Sequence, residues 1–194
     1  MSIISFIIIA IAFGISTMVL MKRCAEATPV RLSAGLLIAT MVAMVHTVLF
    51  IVGMLAGNLL RFESADDPFA YAEVNALVLM GMTVVVLLKL LSPYLRREPK
   101  LAVFPLNGGL GRTLLMTVAS GINIFLLGMG VGFVALLSQG VHRAVWPLFT
   151  LTLLFSYLGI MYGRQKVEMR PRRWIIISCV LLLGVAIAAV VNAR

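Results

Sequence analysis

The chain has 194 residues, 62% of them hydrophobic and only 12% charged, with 16 Lys or Arg against 7 Asp or Glu. A soluble domain is roughly half apolar and about a quarter charged, so a water-facing surface cannot be built from this composition. Disorder, collagen-like repeats and a disulfide scaffold are excluded by the same numbers, which leaves an integral membrane protein with a net charge of +9 to explain.

A spanning helix needs about 20 mostly apolar residues to cross a hydrocarbon core of roughly 30 Å. Residues 2–21 carry no charge before Lys22, and Arg31 and Arg61 bracket a second uncharged run. A third span starts after Glu73, meets Lys89 and runs towards Pro93, with Lys89 near enough to that end to snorkel to the interface. Arg112 and Arg143 bracket the fourth, and residues 144–163 and 174–193 supply the fifth and sixth. A β-barrel would alternate polar and apolar residues, which runs such as Val180-Leu181-Leu182-Leu183 do not. The expected fold class is an all-α integral membrane protein of six transmembrane helices.

The bases collect in alternate loops. Lys22, Arg23 and Arg31 follow span one; Arg96, Arg97, Lys100 and Arg112 follow span three; Arg164, Lys166, Arg170, Arg172 and Arg173 follow span five. The other side has Arg61, Arg143 and Arg194. The positive-inside rule therefore places the three basic loops in the cytoplasm and both termini outside. The net charge then reports orientation, and the lipid bilayer, not nucleic acid, is the expected partner. Glu63, Asp66, Asp67 and Glu73 form an external acidic loop, either simply solvated or a loose cation-attracting vestibule. No basic region precedes the first apolar run, so no cleavable signal peptide is expected. Cys24 and Cys179 fall at a helix end and inside a span, which favours neither a disulfide nor a metal site of two cysteines alone.

Two short patterns recur. Phe13-Gly14-Ile15-Ser16 returns as Ser120-Gly121-Ile122-Asn123 at an offset of 107, and Val52-Gly53-Met54-Leu55-Ala56-Gly57 as Leu158-Gly159-Ile160-Met161-Tyr162-Gly163 at an offset of 106. Nearly equal offsets suggest a duplication: a first repeat over 1–93, a linker over 94–112 and a second repeat over 113–194. With three helices each, the halves are inverted, a recurring transporter plan with its site near the midplane. Gly53/Gly57, Gly128/Gly132 and Gly159/Gly163 have the spacing that clears one helix face for close packing.

Polar residues inside spans need a partner or a role. Ser16, Thr17, Thr40, His46, Thr47, Asn75, Thr83, Thr117, Ser120, Asn123, Thr150, Thr152, Ser156 and Ser178 are such residues. His46 and Asn123 are the informative pair, as interhelical hydrogen-bond glue or as a polar midplane site in which His46 titrates or ligates a metal. No Asp or Glu lies within any span, although hard divalent cations prefer carboxylate oxygens. No Ser-His-Asp set, His-Glu-x-x-His motif or paired carboxylate occurs in the spans, so an enzyme is not expected.

These motifs resemble the MntP-type manganese efflux pumps, within the wider LysE-like transporter superfamily. Ala12-Phe13-Gly14-Ile15-Ser16 is similar to the family's first-helix Ala-Phe-Gly-x-Ser. Ala119-Ser120-Gly121-Ile122-Asn123 with Gly128 and Gly130 resembles its fourth helix, His46-Thr47 with Gly53 and Gly57 its second, and Ser156-Tyr157-Leu158-Gly159 through Gly163-Arg164 its fifth. The resemblance implies six helices in two inverted halves, external termini, the cytoplasmic (inner) membrane and export of a small cation, with manganese as the family's ion and no bound cofactor. Three acidic family positions fall here on Met18, His46 and Asn123. The implied ion pathway runs by Ser16, Thr17, Met18, His46, Thr47, Ser120, Asn123, Thr152 and Ser156, with His46 and Asn123 as metal ligands. The alternative is a transport-inactive relative acting as a membrane subunit or scaffold, as a homo-oligomer or with a membrane-protein partner.

Overall fold

The computed structural model describes residues 2–28, 30–63, 71–95, 110–135 and 137–193. Six helices follow in order: α1 (Ile3–Ala27), α2 (Leu32–Leu59), α3 (Ala72–Leu95), α4 (Leu110–Val134), α5 (Leu137–Arg164) and α6 (Pro171–Val191). All six are long and apolar enough to cross a membrane. Most of the span-three linker, with Arg96, Arg97 and Lys100, lies outside the described residues, as do Asp66 and Asp67 of the acidic loop.

Four helices run further than their uncharged stretches: α1, α5, α4 through Arg112, and α6 through Arg172 and Arg173. α1 continues through Lys22 and Arg23 because both charges find partners. Lys22 pairs with Glu26 one turn on, and the Arg23 guanidinium lies 5.4 Å over the Tyr94 ring of α3, a cation–π contact. At the other end α1 is capped by Ser2, whose Oγ accepts from the Ser5 N–H at 3.3 Å. α5 begins at Leu137, ahead of the expected 144, so His142 and Arg143 ride on its first turns with exposed side chains. At 28 residues α5 exceeds what a bilayer needs, and charges at a protruding end cost little. Between α2 and α3 the Asn75 amide satisfies a turn: its Nδ2 donates to the Phe62 carbonyl at 2.9 Å, and its Oδ1 accepts from the Phe62 N–H at 3.2 Å.

The outer faces are apolar. Leu37, Met44 and Val48 on α2, Leu115 and Ile122 on α4, and Ile177 and Val180 on α6 are all exposed, as lipid contact requires. Trp146 and Trp174 are also exposed, near the start of α5 and of α6, where amphipathic rings suit an interface. Inside, α1 packs chiefly on α5 and α2 on α4, and the pairs α2–α5, α3–α4, α1–α6 and α3–α6 close the bundle.

Glycine governs the two main seams. Along α2–α4, Gly53 meets the backbone of Phe125 and Met129, Gly57 that of Met129, and Gly132 the Met54 carbonyl. Along α1–α5, Gly159 meets the Met18 backbone and Gly163 that of Lys22. A Cβ at any of these positions would run into main-chain atoms that cannot move aside. Gly81 and Gly184 have open space instead. Gly57→Ala is therefore expected to lose roughly 1–3 kcal/mol by overpacking, whereas Gly81→Ala should be neutral or gain up to about 1 kcal/mol in helix propensity. Thermal unfolding of the two variants in detergent checks this, and equal melting temperatures would refute it.

Candidate functional site: an intramembrane cavity

A cavity of about 220 Å³ lies within the bundle. Its inner wall carries Ser16 and Thr17 of α1, His46 of α2, and Ser120 and Asn123 of α4. Ser16, His46 and Asn123 each stand near the middle of their helix. From there the cavity extends to the basic end of the bundle, where Arg23 and Cys24 of α1 and Lys89, Pro93 and Tyr94 of α3 line it. Pro93 has no N–H to give the Lys89 carbonyl, so the backbone of α3 is under-bonded where the cavity reaches this end.

Hydrogen bonding fixes the character of the inner wall. Ser16 Oγ and Thr17 Oγ1 both donate to the Phe13 carbonyl of their own helix, at 2.9 and 2.8 Å. Ser120 Oγ donates its single hydrogen to the Thr117 carbonyl at 2.9 Å. The 3.1 Å contact between His46 Nε2 and Ser120 Oγ must then run from an Nε2–H to the hydroxyl oxygen. This assigns the Nε2–H tautomer and leaves Nδ1 with a bare lone pair. His46 Nδ1 is buried and has no hydrogen-bond partner, and the same holds for Asn123 Oδ1. His46 and Asn123 thus both line the polar recess, and each carries one buried acceptor without a partner.

The other pathway candidates lie elsewhere. Met18 is buried at the α1–α5 seam, its backbone against Gly159. Thr47 is buried and donates to the Ala43 carbonyl at 2.8 Å. Thr152 and Ser156 are fully buried on α5, outside the cavity lining, and their hydroxyl oxygens have no partner. Sequence reasoning did not place Cys24, Lys89, Pro93 or Tyr94 at the cavity. For Cys24 the signal was available, since a spacing of eight residues from Ser16 is close to two turns on the same face.

Other cavities lie towards the ends of the bundle, two of them lined by charged residues of interest. One of about 840 Å³ at the basic end is lined by Lys22, Arg23, Glu26, Lys166, Glu168 and Arg170. One of about 390 Å³ at the opposite end holds Arg61, Asn75 and Asn192; there Arg61 Nε is 3.2 Å from Glu63 Oε1, and Nη1 is buried without a hydrogen-bond partner. Among the described residues no three His, Cys, Asp or Glu side chains gather into a metal-binding group. Compared with known protein families, curated proteins and solved structures, the chain matches none.

The unpaired hydroxyls make a stability contrast. Ser156 Oγ bonds to nothing, whereas Ser178 Oγ donates across helices to the Ala12 carbonyl at 2.7 Å. Ser178→Ala should cost about 1 kcal/mol, while Ser156→Ala should be neutral or stabilising by about 1 kcal/mol. Unfolding midpoints in detergent read the difference, and equal losses in the two variants would contradict the assignment.

Proposed function

We propose that the chain is an exporter of a small metal cation, built on an MntP-like plan of two inverted three-helix halves in the cytoplasmic (inner) membrane, with the basic end inward. The observation that carries this reading is the cavity, which runs from the basic end to mid-bundle, where it is lined by His46 and Asn123, each with a buried acceptor that lacks a partner. A scaffold has no use for a polar recess at that depth, and buried polar groups in a membrane mark ion pathways.

The seams support the inverted plan. Exchanging α1 with α4, α2 with α5 and α3 with α6 swaps α1–α5 with α2–α4 and α3–α4 with α1–α6, and returns α2–α5 and α3–α6 to themselves. Single contacts follow the same exchange: Gly14 lies against Phe155 and Gly121 against Leu49, while Gly53 lies against Phe125 and Gly159 against Met18. In this correspondence Asn123 matches Ser16, and both line the cavity. His46 matches Thr152, whose unpaired hydroxyl becomes the counterpart ligand when the opposite side opens. Alternating access between equivalent halves is the working principle of inverted repeats.

Capture rests on ligation and not on charge attraction. Among the described residues the cavity lining holds no carboxylate, and Arg23 and Lys89 stand near its basic end. Imidazole nitrogen suits borderline ions better than Mn²⁺ or Mg²⁺. The missing carboxylates favour one second reading, a transport-inactive membrane subunit or scaffold. Flux from proteoliposomes loaded separately with Mn²⁺, Zn²⁺ or Ag⁺ separates the two. Export of at least one ion that falls at least about tenfold in His46→Ala/Asn123→Ala, a ligand-loss effect, is expected. Equal flux in wild type, double variant and empty vesicles would leave the scaffold reading standing.

A further inference from the structure

Across the gap between α1 and α4, the Cys24 thiol donates to the Met116 thioether with the sulfur atoms 3.8 Å apart. Both residues are buried, Cys24 completely, and Cys24 lines the cavity on its way to the basic end. We infer that Cys24 Sγ and Met116 Sδ are a ligand pair for a soft monovalent cation, Cu(I) or its analogue Ag(I), and that this is the class of ion the proposed exporter carries. The second half of that statement rests on the transporter reading; the site itself does not.

Geometry, softness and charge each point the same way. With metal–sulfur bonds of about 2.3 Å, two sulfurs 3.8 Å apart subtend roughly 110° at a bound ion, the angle of a three- or four-coordinate site. The pair therefore supplies two donors without moving either helix, and a donor such as water from the cavity completes the set. Thiolate and thioether together select Cu(I) over hard ions. A thiolate with a monovalent ion is neutral as a pair, and a neutral pair escapes most of the cost of burying charge. A divalent ion on the same ligands leaves a positive charge in a recess without carboxylates. Binding forms the sulfur–metal bonds and releases the thiol proton to solvent through the cavity; the ion keeps its oxidation state.

Met116 and Ser120 are one turn apart on α4, about 5.4 Å along the axis, and Ser120 meets His46 Nε2 at 3.1 Å. His46 and Asn123, which line the same cavity as Cys24, therefore stand deeper in the bundle than the sulfur pair.

Anaerobic titration of the purified full chain with Cu(I) against a chromophoric chelator, combined with X-ray absorption at the copper edge, tests the site. One Cu(I) per chain with sulfur scatterers at about 2.3 Å is expected. Cys24→Ser and the shape-conserving Met116→Leu should each weaken binding by more than about tenfold, as losses around metal sites do, and Cys179→Ser should leave it unchanged. Monodisperse elution of each variant establishes folding. No binding by folded wild type, or binding by Cys24→Ser and Met116→Leu as tight as that of wild type, overturns the sulfur site. Ag⁺ flux failing while His46- and Asn123-dependent Zn²⁺ or Mn²⁺ flux persists overturns the soft-ion class and spares the transporter. Cu(I) held by both sulfurs with no flux of any ion supports the site and overturns the transporter.

Discussion

Close approach of backbones at glycine is the constraint on which this bundle depends. Lipid tails are as apolar as leucine, so burying apolar side chains does not drive helices together within a membrane; dense packing does. Here that packing is concentrated in two seams, α1–α5 and α2–α4, where Gly53, Gly57, Gly132, Gly159 and Gly163 rest on main-chain atoms of the facing helix. α1 and α4 share no seam of that kind. The cavity lies in the space that remains between them, so the position of the candidate site follows from where the glycines are.

The same environment sorts the polar residues. Thr17, Thr47, Thr83 and Thr117 each return their hydroxyl to a carbonyl one turn back, which lets a threonine be buried with its donor satisfied. Ser178 is used for cohesion between α6 and α1. Apart from Arg61 at the bundle end, the unpaired buried atoms among the described residues are His46 Nδ1, Asn123 Oδ1, Thr152 Oγ1 and Ser156 Oγ. An unsatisfied group in hydrocarbon costs several kcal/mol. For His46 and Asn123 the cavity supplies a place for whatever satisfies them, and in the proposed exporter that is the cargo.

The six helices were legible because a membrane span is a property of a local window: twenty apolar residues are enough to read it. Helix ends were less legible, since they depend on partners distant in the chain. Lys22 and Arg23 look like a terminus, yet Glu26 and Tyr94 let α1 run on to Ala27. Among site candidates, His46, Ser16 and Asn123 stood out as polar residues at mid-span, and the structure brings them to one cavity. Met18 did not join them, for two residues along a helix is about 200° of rotation, which turns it from the cavity to the α5 seam. Cys24 and Met116 were illegible as a pair, because nothing local links two sulfurs 92 positions apart.

The scarcity of acids then acquires a physical meaning. Moving a monovalent ion from water into a medium of low dielectric costs on the order of 20 kcal/mol in the idealised Born limit, and the cost grows with the square of the charge, to about four times that for a divalent ion. Carboxylates offset such a cost for hard divalent ions. This chain has 7 acids, and none of those among the described residues lines the intramembrane cavity. A site of that kind is compatible with a buried cation only when the charge to be buried is small and is matched by an anion formed at the moment of binding. A cysteine thiol meets that condition, because it is neutral while empty and loses its proton as the metal arrives. Such a site needs no permanent buried charge while it waits for its ion.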